Sequence, residues 1–243
     1  MSKAPRDPKE IFQEFMDECK ALFGDDLVSI VLYGSATGAG YRPGRSDINF
    51  MIILSEKGID QLERAFKLVD KWRKRNVAVP LFLTEDYIQR SLDVFPIEYI
   101  NFQRNYILVY GKDILKDLSF DREYVRLQAE REIKGKLLLL REAYLDTAGK
   151  VRRMKELIAE SLGAFGPIFS ALLFLKDIDV EGERRSVLKK GCDAYDIDAV
   201  LFEKLLDIRE ERVKTGNGEI GTLFKGYLKE VRKLAKAVDT SGG

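Results

Sequence analysis

Apolar residues in the first half of the chain alternate between helical spacing and short continuous runs. Behind a capping box formed by Asp7 and Glu10, apolar positions recur every three or four residues and predict a helix that ends at Gly24. Pro80 has no backbone N–H to donate, so its strand is predicted to lie at an edge or to contain a bulge. The predicted buried strands are 27–33, 48–54, 77–83 and 105–110, and the further predicted helices are 58–75 and 84–92.

The second half of the chain has helical period throughout, and no strand pattern interrupts it. Strands mixed with helices, followed by an all-helical run, predict an α+β fold with a small mixed-sheet domain at 1–118 and a helical bundle domain at 119–243. The predicted bundle helices are 121–147, 149–162, 167–176, 183–194, 198–213 and 219–238. The predicted bundle core includes Leu137, Leu138, Leu140, Leu157, Ile158, Phe169, Leu172, Leu173, Leu201, Leu205, Phe224, Tyr227 and Leu234.

Composition excludes several classes of function. The chain has 41 Lys and Arg residues against 40 Asp and Glu, so general nucleic-acid binding is not expected. It contains no histidine, which excludes Ser-His-Asp and Cys-His catalysis and His-ligated zinc. Cys19 and Cys192 lie in helix-like apolar patterns and are predicted to be small buried hydrophobes. No apolar run approaches the ~20 residues of a membrane span, so we expect a cytoplasmic protein without a membrane segment.

The loop between the first two predicted strands contains the residues best suited to chemistry. Gly34 and Ser35 leave the first strand, where glycine lets the backbone approach an anionic group closely. Asp47 and Asn49 alternate along the start of the second strand, so their side chains share one face. Two oxygen ligands opposite a phosphate-binding loop indicate a site for Mg²⁺ and a triphosphate.

Three further residues of this loop are predicted to take part in binding phosphate. Arg42 and Arg45 can neutralise phosphate charge, and Ser46 lies directly before Asp47. Structural interpretations stay open for the motif itself. Gly34-Ser35 can be an ordinary turn, Asp47 can cap the end of the loop, and the Asn49 amide can bond neighbouring backbone.

The spacing of Gly34-Ser35 and Asp47-Ile48-Asn49, with an apolar strand on each side, resembles the signature of the nucleotidyltransferase (polymerase-β-like) superfamily. The helical second half resembles the bundle of the kanamycin-nucleotidyltransferase-like and minimal types. The resemblance implies that the Gly-Ser loop binds the β- and γ-phosphates of a nucleoside triphosphate. It also implies that paired carboxylates bind metal for in-line attack on the α-phosphate.

Two departures from that signature bear on the metal. Asn49 replaces the second acid, and its amide oxygen can ligate Mg²⁺ without adding negative charge. The predicted third strand contains no acid, and the nearest carboxylates are Glu85, Asp86 and Glu98. We therefore expect an eroded metal site in which Mg²⁺ is held weakly.

Three hypotheses about function follow from these observations. In the first, the protein transfers a nucleotidyl group from an Mg²⁺-bound nucleoside triphosphate to an unidentified small-molecule or protein acceptor, with Asp47 and Asn49 as metal ligands and catalytic residues. In the second, it is a pseudoenzyme that binds a nucleotide with weak or no catalysis. In the third, it is a scaffold that binds a partner protein, as antitoxin-like proteins do. In this third hypothesis the bundle mediates homo-oligomerisation, as a dimer, or binds the partner.

Overall fold

A computed structural model of the chain describes residues 4–38, 40–179, 184–213 and 216–240. Its Cα positions divide into two compact units, the sheet unit (Met1–Leu92 with Asn101–Ser119) and the bundle unit (Asp93–Ile100 with Phe120–Gly243). A mixed sheet with helices, followed by a run of helices, confirms the predicted α+β fold class. The boundary between residues 118 and 119, as the limit of two domains, stays a prediction.

The sheet unit is built on four strands in the order β3-β2-β1-β4. β1 runs antiparallel to both β2 and β4, whereas β2 runs parallel to β3. β3 therefore lies at an edge, as Pro80 predicted. The strands are β1 (Leu27–Tyr33), β2 (Asn49–Leu54), β3 (Leu81–Thr84) and β4 (Tyr106–Gly111), and the helices are α1 (Phe12–Phe23), α2 (Glu56–Ile59), α3 (Phe66–Arg73), α4 (Glu85–Arg90) and α5 (Pro96–Arg104), of which α5 crosses the division between the units.

The helix at the start of the chain covers one face of this sheet. The capping box is confirmed, because the Asp7 side chain accepts from the Lys9 N–H and the Glu10 side chain accepts from the Asp7 N–H. Alternate residues of β1 and β2, such as Phe50, contribute to a core completed by Phe15 of α1 and Trp72 of α3. The Phe15 and Phe50 rings stack with centroids 4.2 Å apart, so apolar burial fixes α1 on the sheet.

The prediction of a single helix at 58–75 is wrong, because three short helical elements cover this region. Ser55 caps a one-turn α2, a short 3-10 helix follows at Leu62–Ala65, and α3 then begins at Phe66. Gly58 is buried so closely that a Cβ added there would lie 2.8 Å from the Asp26 Cβ, and Ser55 donates to the same aspartate. This contact with the loop before β1 holds the first turn apart from α3.

Two other elements differ from the sequence predictions. The third strand begins at Leu81 rather than at residue 77, and Val77 forms only an isolated bridge with Ile48. α5 was not predicted, although its buried residues Pro96, Ile97, Tyr99 and Ile100 lie on one side of the helix.

The bundle unit consists of helices whose bounds follow the predicted ones closely. α6 has 25 residues and is the longest described helix, as predicted, with a length of about 37 Å at 1.5 Å per residue. The prediction that Leu138 belongs to the bundle core is wrong, since Leu138 is 66% exposed while Leu137 and Leu140 are buried. A run of four leucines goes around the whole helix, so not all of them can face the core. The helices are α6 (Arg122–Asp146), α7 (Val151–Gly163), α8 (Phe165–Leu175), α9 (Arg184–Ala194), α10 (Ala199–Arg209) and α11 (Asn217–Thr240).

Aromatic and aliphatic side chains form the bundle core. The rings of Phe165, Phe169, Phe202 and Tyr227 meet edge to face or tilted, with centroids 5.6–6.5 Å apart. Of the predicted core residues, Leu157 packs partly buried against this core, and Leu173 is fully buried without belonging to the cluster. All the others except Leu138 belong to it. Edge-to-face contacts of this kind specify one packing arrangement in addition to burying apolar area.

Within the described residues, one stretch, Val151–Leu175, is long and apolar enough by composition to cross a membrane. Half of its most apolar window is buried inside the protein, because α7 and α8 supply much of the bundle core. Both cysteines are buried as predicted, and burial raises the pKa of each thiol to about 12. Neither is therefore a reactive thiolate at neutral pH.

Candidate functional site

The site lies where β1 ends beside the start of the antiparallel strand β2. Tyr33 and Asn49 are the last paired residues of the two strands, and the chain leaves β1 at Gly34. Gly34 has φ +79°, a conformation that L side chains rarely adopt, and a Cβ there would lie 3.5 Å from Asn49 Nδ2. Glycine thus allows the loop to turn close to the start of β2.

The first part of the loop is a short 3-10 helix, Gly34–Thr37, that keeps Ser35 exposed. The Thr37 hydroxyl donates to the Gly34 carbonyl oxygen over 2.8 Å and closes this turn. Gly40 passes close to it, since a Cβ there would lie 3.7 Å from the Ser35 carbonyl oxygen. Within the described part of the chain, the Ser35 hydroxyl has no hydrogen-bond partner. The turn is therefore stabilised without Ser35, whose hydroxyl is available to a ligand.

The second part of the loop is a tight turn held by Ser46. Its hydroxyl accepts from the Arg42 N–H over 3.0 Å, and its own N–H donates to the Arg42 carbonyl oxygen over 2.8 Å. The Arg42 and Arg45 side chains are exposed, and neither forms an ion pair with any described residue. Ser46 thus has a structural role in the loop, while both guanidinium groups can interact with an anion.

Asp47 and Asn49 lie on one face at the start of β2. Ile48 between them is fully buried on the opposite face, and its backbone bonds Asn76 and Ala78 over 2.8 and 3.0 Å. The Asp47 carboxylate is exposed and the Asn49 amide half-buried, and neither has a side-chain partner among the described residues. The predicted alternation is present, and it brings two oxygen-bearing side chains close to the Gly-Ser turn.

Carboxylates are sparse around this pair. Leu81 pairs with Met51 across β3 and β2, so it lies on the same face of the sheet as Asn49, and residues 77–81 contain no acid. Glu85 binds Lys112, and Asp86 binds Arg90 over 2.7 Å. In the described ranges, no group of three or more Asp, Glu, Cys or His side chains is arranged to hold a metal ion.

An aromatic group adjoins Asn49, and the sequence patterns did not single out its central residue. The Tyr33 ring meets Phe102 edge to face at 4.8 Å, and Tyr106 is the partner of Tyr33 on β4. Burial raises the pKa of Tyr33, and burial with a hydrogen bond to Asp113 raises the pKa of Tyr106 to about 12. Both phenols are thus neutral at physiological pH. Strand alternation places Tyr33 on the same face of the sheet as Asn49, and this alternation could have identified Tyr33 from the sequence.

An open cleft of about 350 Å³ lies on another side of the Gly-Ser turn. The N-terminal segment forms one wall with Arg6 and Lys9, whose cationic groups have no partner in the described structure. The Tyr41 hydroxyl donates to the Pro5 carbonyl oxygen over 2.9 Å and attaches this segment to the loop. Sequence spacing did not indicate these two cations, because residues 6–9 are distant from the loop along the chain.

Comparisons with known proteins give a distant likeness to solved structures. No protein-family model and no curated protein matches the chain. Among solved structures, the chain is similar to spectinomycin adenyltransferase AAD(9) from Enterococcus faecialis, which was solved with ATP and spectinomycin. The TM-score is 0.48 and the sequence identity 12%, over 89% of this chain and 99% of that one.

Proposed function

We propose that the protein is a nucleotidyltransferase that transfers a nucleotidyl group from an Mg²⁺-bound nucleoside triphosphate to a hydroxyl of a small-molecule or protein acceptor. One observation supports this above the others. The side chains of Ser35, Asp47 and Asn49 lie at the adjacent ends of β1 and β2, and none has a partner within the described residues. A phosphate-binding turn beside two metal-ligand oxygens is the arrangement that this reaction requires.

The phosphate part of the proposed site is the turn Gly34–Thr37. Its backbone N–H groups and the Ser35 hydroxyl can donate to phosphate oxygens, and the exposed Arg42 and Arg45 add positive charge. No described carboxylate neutralises either arginine. The loop therefore presents two guanidinium groups without a described carboxylate partner, which suits a polyphosphate.

The residues present fit one Mg²⁺ ion rather than two. Asp47 supplies a carboxylate oxygen and Asn49 an amide oxygen, and Mg²⁺ commonly completes its six ligands with water and substrate phosphates. A pair of ions about 3.5–4 Å apart needs shared carboxylates, which residues 77–81 do not supply. When bound, Mg²⁺ would neutralise charge on the phosphates.

In the proposed reaction, the acceptor oxygen forms a bond to the α-phosphorus while the bond from that phosphorus to the β-phosphate oxygen breaks and pyrophosphate leaves. The acceptor proton goes to a carboxylate or to water, because the chain has no histidine. Ser35 and the two arginines would hold the leaving pyrophosphate. Asp47 and Asn49 would hold the Mg²⁺ ion, which would supply charge neutralisation at the phosphates.

A second candidate function is nucleotide binding with little or no catalysis. It is favoured by the single carboxylate at the site, since Asn49 stands where a second acid would add charge. Phosphate binding depends on Gly34, Ser35 and the arginines, and it does not need that charge. The two candidates therefore share a ligand and differ in turnover.

One set of measurements tests both candidates. Melting temperature is measured with each of the four common nucleoside triphosphates and Mg²⁺, for the wild type, Ser35→Ala and the control Ser119→Ala. A ligand that binds only the folded state increases the free energy of unfolding, by about 2.7 kcal/mol at a hundredfold excess over Kd, and the melting temperature rises accordingly. We expect Ser35→Ala to lose most of this shift and the exposed Ser119→Ala to keep it.

Pyrophosphate release, measured with α-labelled nucleotide and acceptor candidates, then separates transfer from binding. Labelled acceptor with stoichiometric pyrophosphate supports the transferase. A rise in melting temperature without pyrophosphate release supports nucleotide binding without catalysis. If no triphosphate changes the melting temperature, both nucleotide candidates are wrong and the partner-binding scaffold becomes the leading hypothesis.

A further inference from the structure

The outer face of α6 exposes large apolar side chains that no other described element covers. Tyr124, Leu127, Leu138 and Leu145 are between 44% and 79% exposed. Single exposed leucines are common on protein surfaces, but a row of them along one helix is not. The row is distinct from the Gly-Ser loop and is not used by the proposed reaction.

These side chains form a regular stripe. The exposed residues 124, 127, 131, 135, 138, 142 and 145 follow one another at intervals of three or four, which places them along one side of an α-helix. The opposite side of α6 presents Ala129, Ile133, Leu137 and Leu140 to the bundle core. α6 therefore has two apolar sides, and the core explains only one of them. Stripes with this spacing are typical of helices that pair with another helix.

Gly135 lies in the middle of the stripe, and nothing within the described structure requires a glycine there. A Cβ added at this position would meet no atom within 4 Å. Glycine in the middle of a helix is unfavourable because its unfolded backbone is unusually free, and the usual reason for accepting one is a close approach by another group. The missing side chain leaves a depression in the stripe.

We propose that this face binds a second copy of the same chain, with the two α6 helices antiparallel and a two-fold axis between residues 136 and 137. This axis places Leu138 opposite Gly135 of the partner subunit, so an exposed leucine near the middle of the stripe lies over its depression. It also places Leu127 within one residue of Leu145 of the partner subunit. A two-fold axis makes each contact twice.

The charges of the stripe agree with the same register. The axis places Arg131 opposite Glu142 of the partner subunit, and the symmetry repeats this ion pair. Arg131 has only a 4.0 Å contact with Glu132 within its own chain, and Glu142 has no partner among the described residues. A parallel pair in register would instead place like charges together. The two charges thus favour the antiparallel arrangement, and this preference weakens with salt.

Apolar fit, glycine position and charge all indicate one symmetric arrangement, and this identifies a second copy as the occupant. The stripe is about 32 Å long at 1.5 Å per residue and only one helix wide. Such an interface lies at the small end of stable interfaces, so we expect a dimer that dissociates on dilution.

The test is sedimentation velocity of the full chain from low to high micromolar concentration. The wild type is expected to rise from 27.8 kDa toward twice that mass. Leu138→Glu is expected to raise the dimer dissociation constant about tenfold or more. The matched control is Leu139→Glu, since Leu139 is 62% exposed against 66% for Leu138 but lies about 100° around the helix, away from the stripe.

Charge reversal provides a second, independent readout. Arg131→Glu is expected to weaken the dimer, and the double variant Arg131→Glu with Glu142→Arg is expected to restore it, because the reversed pair is equivalent. Circular dichroism at low concentration checks that each variant is folded, as expected for exposed positions. A wild type that stays at 27.8 kDa overturns the proposal, as do equal effects of Leu138→Glu and Leu139→Glu or a double variant that is no tighter than Arg131→Glu.

Discussion

Asn49 occupies the position at which a second carboxylate would most change the chemistry of the site. Its amide shares a strand face with the Asp47 carboxylate, and both groups are without a described partner. An amide oxygen contributes a dipole where a carboxylate contributes a full charge, and affinity for a hard cation rises with the number of charged ligands. In the proposed site, the strength of Mg²⁺ binding would thus depend largely on this one residue.

We predict that Asn49→Asp binds Mg²⁺ about tenfold more tightly in the presence of a non-hydrolysable triphosphate, because a second carboxylate adds charge at nearly constant volume. If an acceptor is supplied, transfer should also become faster. Without metal, the variant should melt at a lower temperature, since two carboxylates on one strand face repel each other. Calorimetric Mg²⁺ titration and thermal unfolding measure these effects.

The matched control for this variant is Gln89→Glu, an exposed position on α4 that gains the same charge and is predicted to leave Mg²⁺ affinity unchanged. Equal affinity of the wild type and Asn49→Asp would mean that residue 49 is not a metal ligand. If neither protein binds Mg²⁺, the proposed metal site is wrong.

At the scale of elements, α1 and α3 are joined by a group of charges around a tryptophan. Arg75 and Lys71 bind Glu14 over 2.6 and 3.0 Å, and Lys71 also binds Glu18. Trp72 donates its indole N–H to Glu18 over 3.0 Å. Hydrogen bonds from Lys71 and Arg75 lower the pKa of Glu14, so the folded state binds its proton less readily than the unfolded state does.

This shift gives stability a defined pH dependence. Because the folded pKa of Glu14 is lowered, its contribution is present above the ordinary carboxyl pKa and is lost as pH falls through the lowered value. We predict that Glu14→Gln reduces the free energy of unfolding by about 0.5 kcal/mol at neutral pH, a small value because the pair is about half exposed and screened by solvent.

The difference between the wild type and Glu14→Gln should disappear in strong acid, where the wild-type carboxyl is protonated. Urea unfolding at several pH values measures it, with the exposed Glu160→Gln as a control that should show little change at any pH. A constant difference between pH 3 and pH 7 would show that Glu14 stabilises the fold through packing rather than charge.

At the scale of the whole molecule, the chain does not divide at a single point. The segment Asp93–Ile100 belongs to the bundle unit, although the sheet unit continues after it. Within the bundle unit, the Ile97 N–H donates to the buried Gln128 side chain over 2.9 Å, and Gln128 donates to Glu98 over 2.7 Å. Ile97 and Ile100 also belong to the bundle core. The bundle thus uses residues from before its predicted start.

We predict that a fragment of residues 93–243 is more stable than the fragment 119–243, which begins at the boundary predicted from sequence. Losing residues 93–100 removes the hydrogen bonds of Gln128 to Ile97 and Glu98 and takes Ile97 and Ile100 out of the core, at a cost of about 1.5–3 kcal/mol for each buried isoleucine. Thermal and urea unfolding of the two fragments measure this difference. Equal stability would support residue 119 as the limit of an independent bundle.

The sequence alone determined the elements that arise from local interactions. β1 begins and ends where its apolar run does, the Asp7 capping box forms as its spacing indicates, and every predicted bundle helix is present. Spacing also predicted a site at Gly34, Ser35, Asp47 and Asn49, and the role of these residues stays a prediction. Helix caps, strand runs and helical stripes involve residues close along the chain, so their pattern is visible without a fold.

Only the tertiary structure decided the rest, because the deciding neighbours are distant along the chain. α2 separates from α3 where Gly58 meets Asp26, and Leu138 faces outward because its neighbours on α6 fill the bundle core. In the loop, the Ser46 hydroxyl accepts a hydrogen bond from the Arg42 N–H, whereas the Ser35 side chain is exposed. A pattern of residue types shows which groups can bind a ligand, but the packing of distant segments determines which of them are free to do so.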